Sequence, residues 1–166
     1  MKNLTKFLVS LLFFACEQSK RPPFALPENA RSLLTNDSSK TWKLARRFNN
    51  DTRMNMGDCF LSYRLSFNSD MTLMDNNGEQ RDCGETLNAE WKFTKNKEGY
   101  YYLKWTSEQL PTLLNIESND KYFKILDLSE DQLVLQFYHK QFSSKKTQIT
   151  DIYVPNDASV NQEFHW

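Results

Sequence analysis

The feature that most constrains this chain is an apolar alternation of period two, recurring between short polar breaks from Thr41 to Val154. Ala89, Trp91 and Phe93 alternate with Glu90, Lys92 and Thr94, and after the turn Asn96 to Gly99 the return segment sets Tyr101, Leu103 and Trp105 on one face. An apolar residue at every second position marks an antiparallel strand with one buried and one solvated face. The same reading covers Thr41 to Phe48, with Trp42, Leu44 and Phe48 inward and Arg46 interrupting the set. Cys59 to Phe67 alternates Cys59, Leu61, Tyr63, Leu65 and Phe67 inward, then turns at Asn68, Ser69 and Asp70 into Met71 to Asp75. Tyr122 to Leu128, Gln132 to Tyr138 and Gln148 to Val154 complete the series, with Phe123, Ile125, Leu133, Leu135 and Phe137 inward.

About eight strands joined mostly by short turns, with no helical period long enough for a crossover, imply an all-β, up-and-down antiparallel meander. Closing the meander into a barrel removes its exposed edges. An eight-stranded barrel has an interior just wide enough for side chains or for one small ligand. The alternative, a two-sheet sandwich, needs Greek-key crossings that short turns disfavour. Asn29 to Leu34 is expected to add a short N-terminal helical turn, with Leu33 and Leu34 inward.

Upstream, Lys2 and Lys6 lead into an apolar run from Phe7 to Ala15, broken only by Ser10 and ended by Glu17, Gln18, Lys20 and Arg21. A charged start, a short apolar stretch and a small residue form an export leader. A bilayer span would need roughly 20 apolar residues. A buried N-terminal helix is disfavoured, because the run is apolar on all sides and leads straight into Arg21, Pro22 and Pro23.

Phe13, Phe14, Ala15 and Cys16 resemble the lipobox of bacterial lipoproteins, where the cysteine thiol is acylated and the chain is cut before it. The resemblance implies lipidation at Cys16 and attachment to the outer membrane of the cell envelope through an N-terminal lipid. One acyl chain anchors weakly, and this modification supplies several. Cleavage without lipidation is the alternative. The chain of 166 residues then divides into a signal peptide 1–15, a lipidated, Pro-rich tether 16–32, a barrel 33–155 and a tail 156–166.

Of the three cysteines, setting Cys16 aside on this resemblance leaves Cys59 and Cys83. An exported pair favours a structural disulfide, which would stabilise the fold by roughly 3 kcal/mol in the chain-entropy model. A metal or redox pair is weaker: neither cysteine belongs to a C-x-x-C, and His139 and His165 lie outside zinc-ligand spacing. If Ser69 centres the first turn, Cys59 faces a position near Glu79. Asn76, Asn77 and Gly78 must then bulge for the bridge to close, or the bridge ties Cys59 to a loop.

The segments SLLTNDSSKTWKLARRF, GDCFLSYRLSFNSD, RDCGETLNAEWKF and DKYFKILDLSEDQLVLQF together resemble the lipocalin-like lipoproteins of Bacteroidetes-type bacteria, over roughly Leu33 to Val154. Lys40 stands where better-known lipocalins carry Gly, two residues before the Trp. The resemblance implies a small barrel on a lipid tether, in a family whose ligands are mostly unknown.

Basic and acidic residues balance at 21 each, so no basic field exists to attract nucleic acid. No catalytic constellation, metal cluster or cofactor loop stands out. A Ser-His-acid triad would need His139 or His165, the latter at the chain end. Glu85 with Glu90, or Asp127 with Glu130, are carboxylate pairs at strand ends and turns, where acids are normally solvated. Trp42, Tyr63, Trp91, Tyr101 and Trp105 share inward parity, and His139 continues that of Phe137. They are the candidates to line a pocket for a small apolar ligand. The competing expectation is that these aromatics simply fill the barrel and that His139 ends a strand at the rim. Tyr100 and Tyr102 fall on the opposite face, where exposed aromatics can meet an envelope protein partner. The expected function is a non-enzymatic, lipid-anchored binder of a small apolar molecule or soluble envelope domain. The alternative is an interaction subunit with a filled barrel.

Overall fold

The computed structural model describes residues 22–140 and 145–161; the leader, Cys16 and His165 lie outside the described residues. Its strands are β1 (Ser39–Asn49), β2 (Thr52–Arg53), β3 (Arg64–Asn68), β4 (Thr72–Asp75), β5 (Asn88–Lys95), β6 (Tyr101–Thr106), β7 (Asp120–Leu128), β8 (Leu133–His139) and β9 (Thr147–Pro155). Three short helices, α1 (Ala30–Thr35), α2 (Asp58–Leu61) and α3 (Leu110–Leu114), occupy the connections. Every pairing is antiparallel and sequential from β3 to β9; β1 pairs with both β3 and β9, which closes the sheet into an up-and-down barrel. The two-residue β2 only extends the end of β1. No described helix is long and apolar enough to cross a membrane.

The alternation dictates which way the walls face. Trp91 lies opposite Trp105, and Phe93 opposite Leu103. Leu103 lies opposite Phe123, and Ile125 opposite Leu135. These pairs make a continuous inner surface, because side chains directly opposite on one face lie within contact distance. A bulge in β1 between Leu44 and Arg46 explains the interrupted alternation there. The extra residue, Ala45, shifts the parity, so Arg46 faces solvent and Arg47 turns inward. The expected inward set of Trp42, Leu44 and Phe48 is therefore corrected beyond Leu44.

The two ends of the barrel differ. At the lower end α1 lies across the opening, with Leu34 fully buried and the Trp42 indole N–H donating to the Leu34 carbonyl at 3.0 Å. Lys40 Nζ donates to the carbonyls of Leu33 and Glu130 at 3.1 and 2.8 Å and sits 4.0 Å from the Trp42 ring centre, fastening helix, strand and turn together. Phe67 packs edge-on against Trp91 at 5.9 Å. Burying one such indole contributes roughly 4–6 kcal/mol as an upper bound. Phe24 and Leu26, inside the stretch expected to be tether, also pack against this core.

The upper end is built from α2, α3 and irregular loops. Cys59 to Phe67 is not one strand: Cys59, Phe60 and Leu61 form α2 after Gly57, and extended pairing begins only at Arg64. Three consecutive apolar residues cannot all face inward from a strand, whereas from a helical turn both Phe60 and Leu61 pack against the core. Cys59 and Cys83 are bridged with Cα atoms 5.4 Å apart across a sequence separation of 24. The bridge joins α2 to the loop after a 3-10 turn at Asn77–Glu79, and not two facing strands.

Candidate functional site

A cavity of about 410 Å³ occupies the upper half of the barrel beneath α2 and α3. Phe60, Leu87, Leu113 and Leu114 supply apolar roof and wall, and Trp105, Phe123 and Phe137 line the strands below. The ring centres of Trp105 and Phe123 are 4.0 Å apart, and those of Phe123 and Phe137 are 5.0 Å apart. Six charged residues line this space: Arg47, Asp75, Lys121 and Asp151 from the inner face of the strands, and the exposed Glu85 and Lys140.

Two of them form a closed pair. Arg47 Nε and Nη2 donate to the two oxygens of Asp151, each at 2.6 Å, with side-chain exposures of 14% and 1%. The Tyr153 hydroxyl donates to Asp151 Oδ2 at 3.1 Å, and the guanidinium lies 4.4 Å from the Phe60 ring centre. Burial opposes the Arg47 charge, but Asp151 more than offsets it and holds the guanidinium firmly protonated. Burial raises the Tyr63 and Tyr153 phenols well above their usual range, with the nearby carboxylates of Asp75 and Asp151 adding to it, so both hydroxyls stay neutral donors.

Asp75 is also engaged. Its Oδ1 accepts the backbone N–H groups of Leu87 and Asn77 at 3.0 and 3.1 Å, and its Oδ2 accepts the Asn77 amide at 3.3 Å and the Tyr63 hydroxyl at 3.5 Å. Burial raises its carboxyl above the ordinary range, with the two backbone donors working against that rise.

Lys121 is different. It is 8% exposed and its ammonium lies 5.7 and 5.0 Å from the Phe123 and Phe137 ring centres. No carboxylate or hydrogen-bond acceptor among the described residues partners it. Burial pushes its amine down to about 8, and the positive charges of Lys146 and Arg47 push in the same direction. His139 is depressed by burial and by Lys121, Arg47 and Lys146, so it is neutral near pH 7. Among the described residues no group of three or more His, Cys, Asp or Glu side chains gathers to hold a metal ion.

Of the aromatic candidates read from the sequence, Tyr63, Trp105 and His139 line the cavity. Trp42, Trp91 and Tyr101 do not: they belong to the lower end, where Trp42 and Trp91 are 0% and 4% exposed and Tyr101 packs beneath the Lys95 ammonium at 4.9 Å. Inward parity was met in each case, but parity carries no information about depth along the barrel axis. Tyr100 and Tyr102 are half-buried on the outer wall. Lys124 Nζ sits 3.5 Å from the Tyr100 ring centre, and the fully outward aromatics are Tyr122 and Tyr138.

The charged lining was the part missed from sequence. Its signal is plain in retrospect: Lys121 shares the parity of Phe123 and Ile125, Asp75 that of Leu73, and Asp151 that of Ile149 and Tyr153. A charge on an apolar parity is a candidate interior group. Arg47 carried no such signal, because the bulge at Ala45 reassigns it.

No family model matches the sequence, and no curated protein matches it. Among solved structures, the chain is similar to a lipocalin-like protein from Bacteroides uniformis, at 15% identity and a TM-score of 0.48, over 74% of this chain and 97% of that one. Nothing about ligand, partner or compartment is carried over from that likeness.

Proposed function

We propose that this chain is an exported, lipid-anchored, lipocalin-like barrel that holds one small apolar molecule in the upper half of its interior. The observation that carries the reading is the cavity of about 410 Å³ roofed by α2 and α3. That volume falls within the roughly 300–1,000 Å³ common to small-molecule sites. Its apolar surface is interleaved with a few fixed polar groups, which is the composition such sites use for affinity and orientation. The Cys59–Cys83 bridge supports an oxidising compartment. Export and anchoring at Cys16 rest on the leader and the lipobox resemblance. We read the cavity as a binding site and not a catalytic one. Its two buried carboxylates are committed to Arg47 and to backbone N–H groups, which leaves neither available as nucleophile or base.

The test is titration with the neutral fluorophore N-phenyl-1-naphthylamine. One saturable site is expected, weakened about tenfold or more by Leu114→Trp, which fills the cavity from α3. Absence of saturable uptake by the wild-type chain contradicts the reading. Denaturing mass spectrometry of membrane-extracted protein tests the anchor: a chain starting at Cys16 without acyl mass removes that part.

A second reading, an interaction subunit of an envelope complex, is favoured by the outer wall of β6 to β8. There Tyr122 and Tyr138 are 50% and 64% exposed, and Tyr102 packs edge-on against Tyr122 at 6.5 Å. Under that reading Tyr122→Ser with Tyr138→Ser releases a co-purifying envelope protein while leaving fluorophore uptake unchanged.

A further inference from the structure

Lys121 and Trp105 are direct cross-strand neighbours on the inner face of β6 and β7. Such neighbours have Cβ atoms about 4.5–5.5 Å apart, so both side chains rise from adjacent points of one wall. Each carries an unmatched donor. The Trp105 indole N–H is buried with no hydrogen-bond partner, and Lys121 is more than nine-tenths buried with no counter-charge among the described residues. Lys146 and Arg47 both push the Lys121 amine down, Arg47 even though it is paired with Asp151, and no acid is paired with Lys121 itself among the described residues. Of the acids that line the space, the two buried ones are taken, Asp151 by Arg47 and Asp75 by backbone and amide N–H groups, and Glu85 is solvent-exposed. An indole N–H buried without an acceptor is costly, and an ammonium held against aromatic rings without a carboxylate is only partly hydrated; an oxyanion placed between them supplies an acceptor to both.

We propose that the molecule held in the cavity is an amphiphile with an anionic head group, its oxyanion received by Lys121 Nζ and the Trp105 indole N–H and its apolar body lying against Phe123 and Phe137. The inference rests on the reading of the cavity as a small-molecule site and specifies the chemical class of its occupant. Two features independent of each other carry it, the orphan ammonium and the orphan indole donor, and the register of β6 and β7 brings them side by side. The aromatic rings beneath supply the apolar half of the recognition, and also a face over which the ammonium rests at 5.0 Å from Phe137.

The experiment compares dodecanoate, dodecanol and dodecylammonium by isothermal titration at pH 7 on the full mature chain. Wild type is expected to bind dodecanoate about tenfold or more tighter than dodecanol, the ratio one charge-assisted contact supplies, and dodecylammonium weakest. Lys121→Met is expected to erase the preference, dodecanoate then binding no tighter than dodecanol, and Lys121→Arg to retain it. Thermal melting of each variant checks folding; if Lys121→Met unfolds, Lys121→Gln, which also removes the charge, is read in its place, and a preference that survives it overturns the proposal equally. Equal binding of dodecanoate and dodecanol by wild type, or a preference that survives Lys121→Met, overturns the proposal while sparing the cavity reading. Failure of wild type to bind any of the three, together with failure to take up the neutral fluorophore, removes the cavity reading itself.

Discussion

At the lower end of the barrel the indole N–H of Trp42 donates to the Leu34 carbonyl, and that of Trp91 to the carbonyls of Asn68 and Thr72, at 3.0, 3.2 and 3.1 Å. At the upper end the N–H of Trp105 has no partner. The same contrast runs through the rest of the two halves. Below, α1 closes the barrel, and Leu34, Trp42 and Phe67 are fully buried. Above, four charged side chains face inward around a space of about 410 Å³. Asn49 Oδ1 and Thr147 Oγ1, the other buried side-chain polar atoms without partners among the described residues, belong to the upper half as well. The indoles of the lower half have their hydrogen-bond acceptors, as groups in a structural core do; the upper half keeps open space and a buried donor without one, which is what the proposed binding role requires.

The comparison is broken most severely by Trp42→Ala, which removes a fully buried indole of the filled end and should cost ~4 kcal/mol in urea-denaturation free energy. Trp105→Ala borders existing space and should cost clearly less; equal losses would mean that the halves are packed alike. At the upper end, Asp151→Ala should cost ~3–4 kcal/mol by stranding the buried Arg47 charge. The pair Arg47→Met with Asp151→Leu should recover most of that loss, and a double variant as unstable as the single one would point to a packing role instead. Removing the disulfide by Cys59→Ser with Cys83→Ser should cost roughly 3 kcal/mol. Hydrogen exchange should then speed up in α2 and the loop around Cys83 while β1 at Trp42 keeps its protection; uniform loss would erase the distinction between ends.

The smallest effect is a pH dependence. Lys121 titrates at about 8 in the fold and at 10.5 in the ordinary state of the unfolded chain. Between those values the unfolded chain holds a proton that the folded chain has lost, so stability rises with pH across this window, by on the order of 2–3 kcal/mol. The groups that face Lys121 are Arg47 from β1, Asp151 from β9, His139 and Lys140 from the end of β8, and Lys146 ahead of β9. Tyrosines also ionise in this range, so the readout is the difference between wild type and Lys121→Met melts: only wild type should gain.

Strand number, order and facing were legible because a half-buried strand writes its environment on every second residue. Where the reading failed, the pattern carried less than it was asked for. Trp42, Trp91 and Trp105 share one parity, yet only Trp105 borders the cavity, since depth along a barrel depends on register with both neighbours. Cys59 to Leu61 looked like the start of a strand because Cys59, Leu61 and Tyr63 alternate, although Phe60 between two apolar neighbours favoured a helical turn. The α3 segment, Leu110–Leu114, is too short for a helical period to declare itself. Lys121 was readable by parity and was passed over because lysine is read by default as solvated.

The most direct test of a filled lower half and a receptive upper half follows the indole N–H resonances by heteronuclear NMR as N-phenyl-1-naphthylamine is added. The account predicts a saturable shift of the Trp105 indole signal with those of Trp42 and Trp91 unmoved. A shift in Trp42 or Trp91, or none in Trp105 at saturating probe, would contradict it.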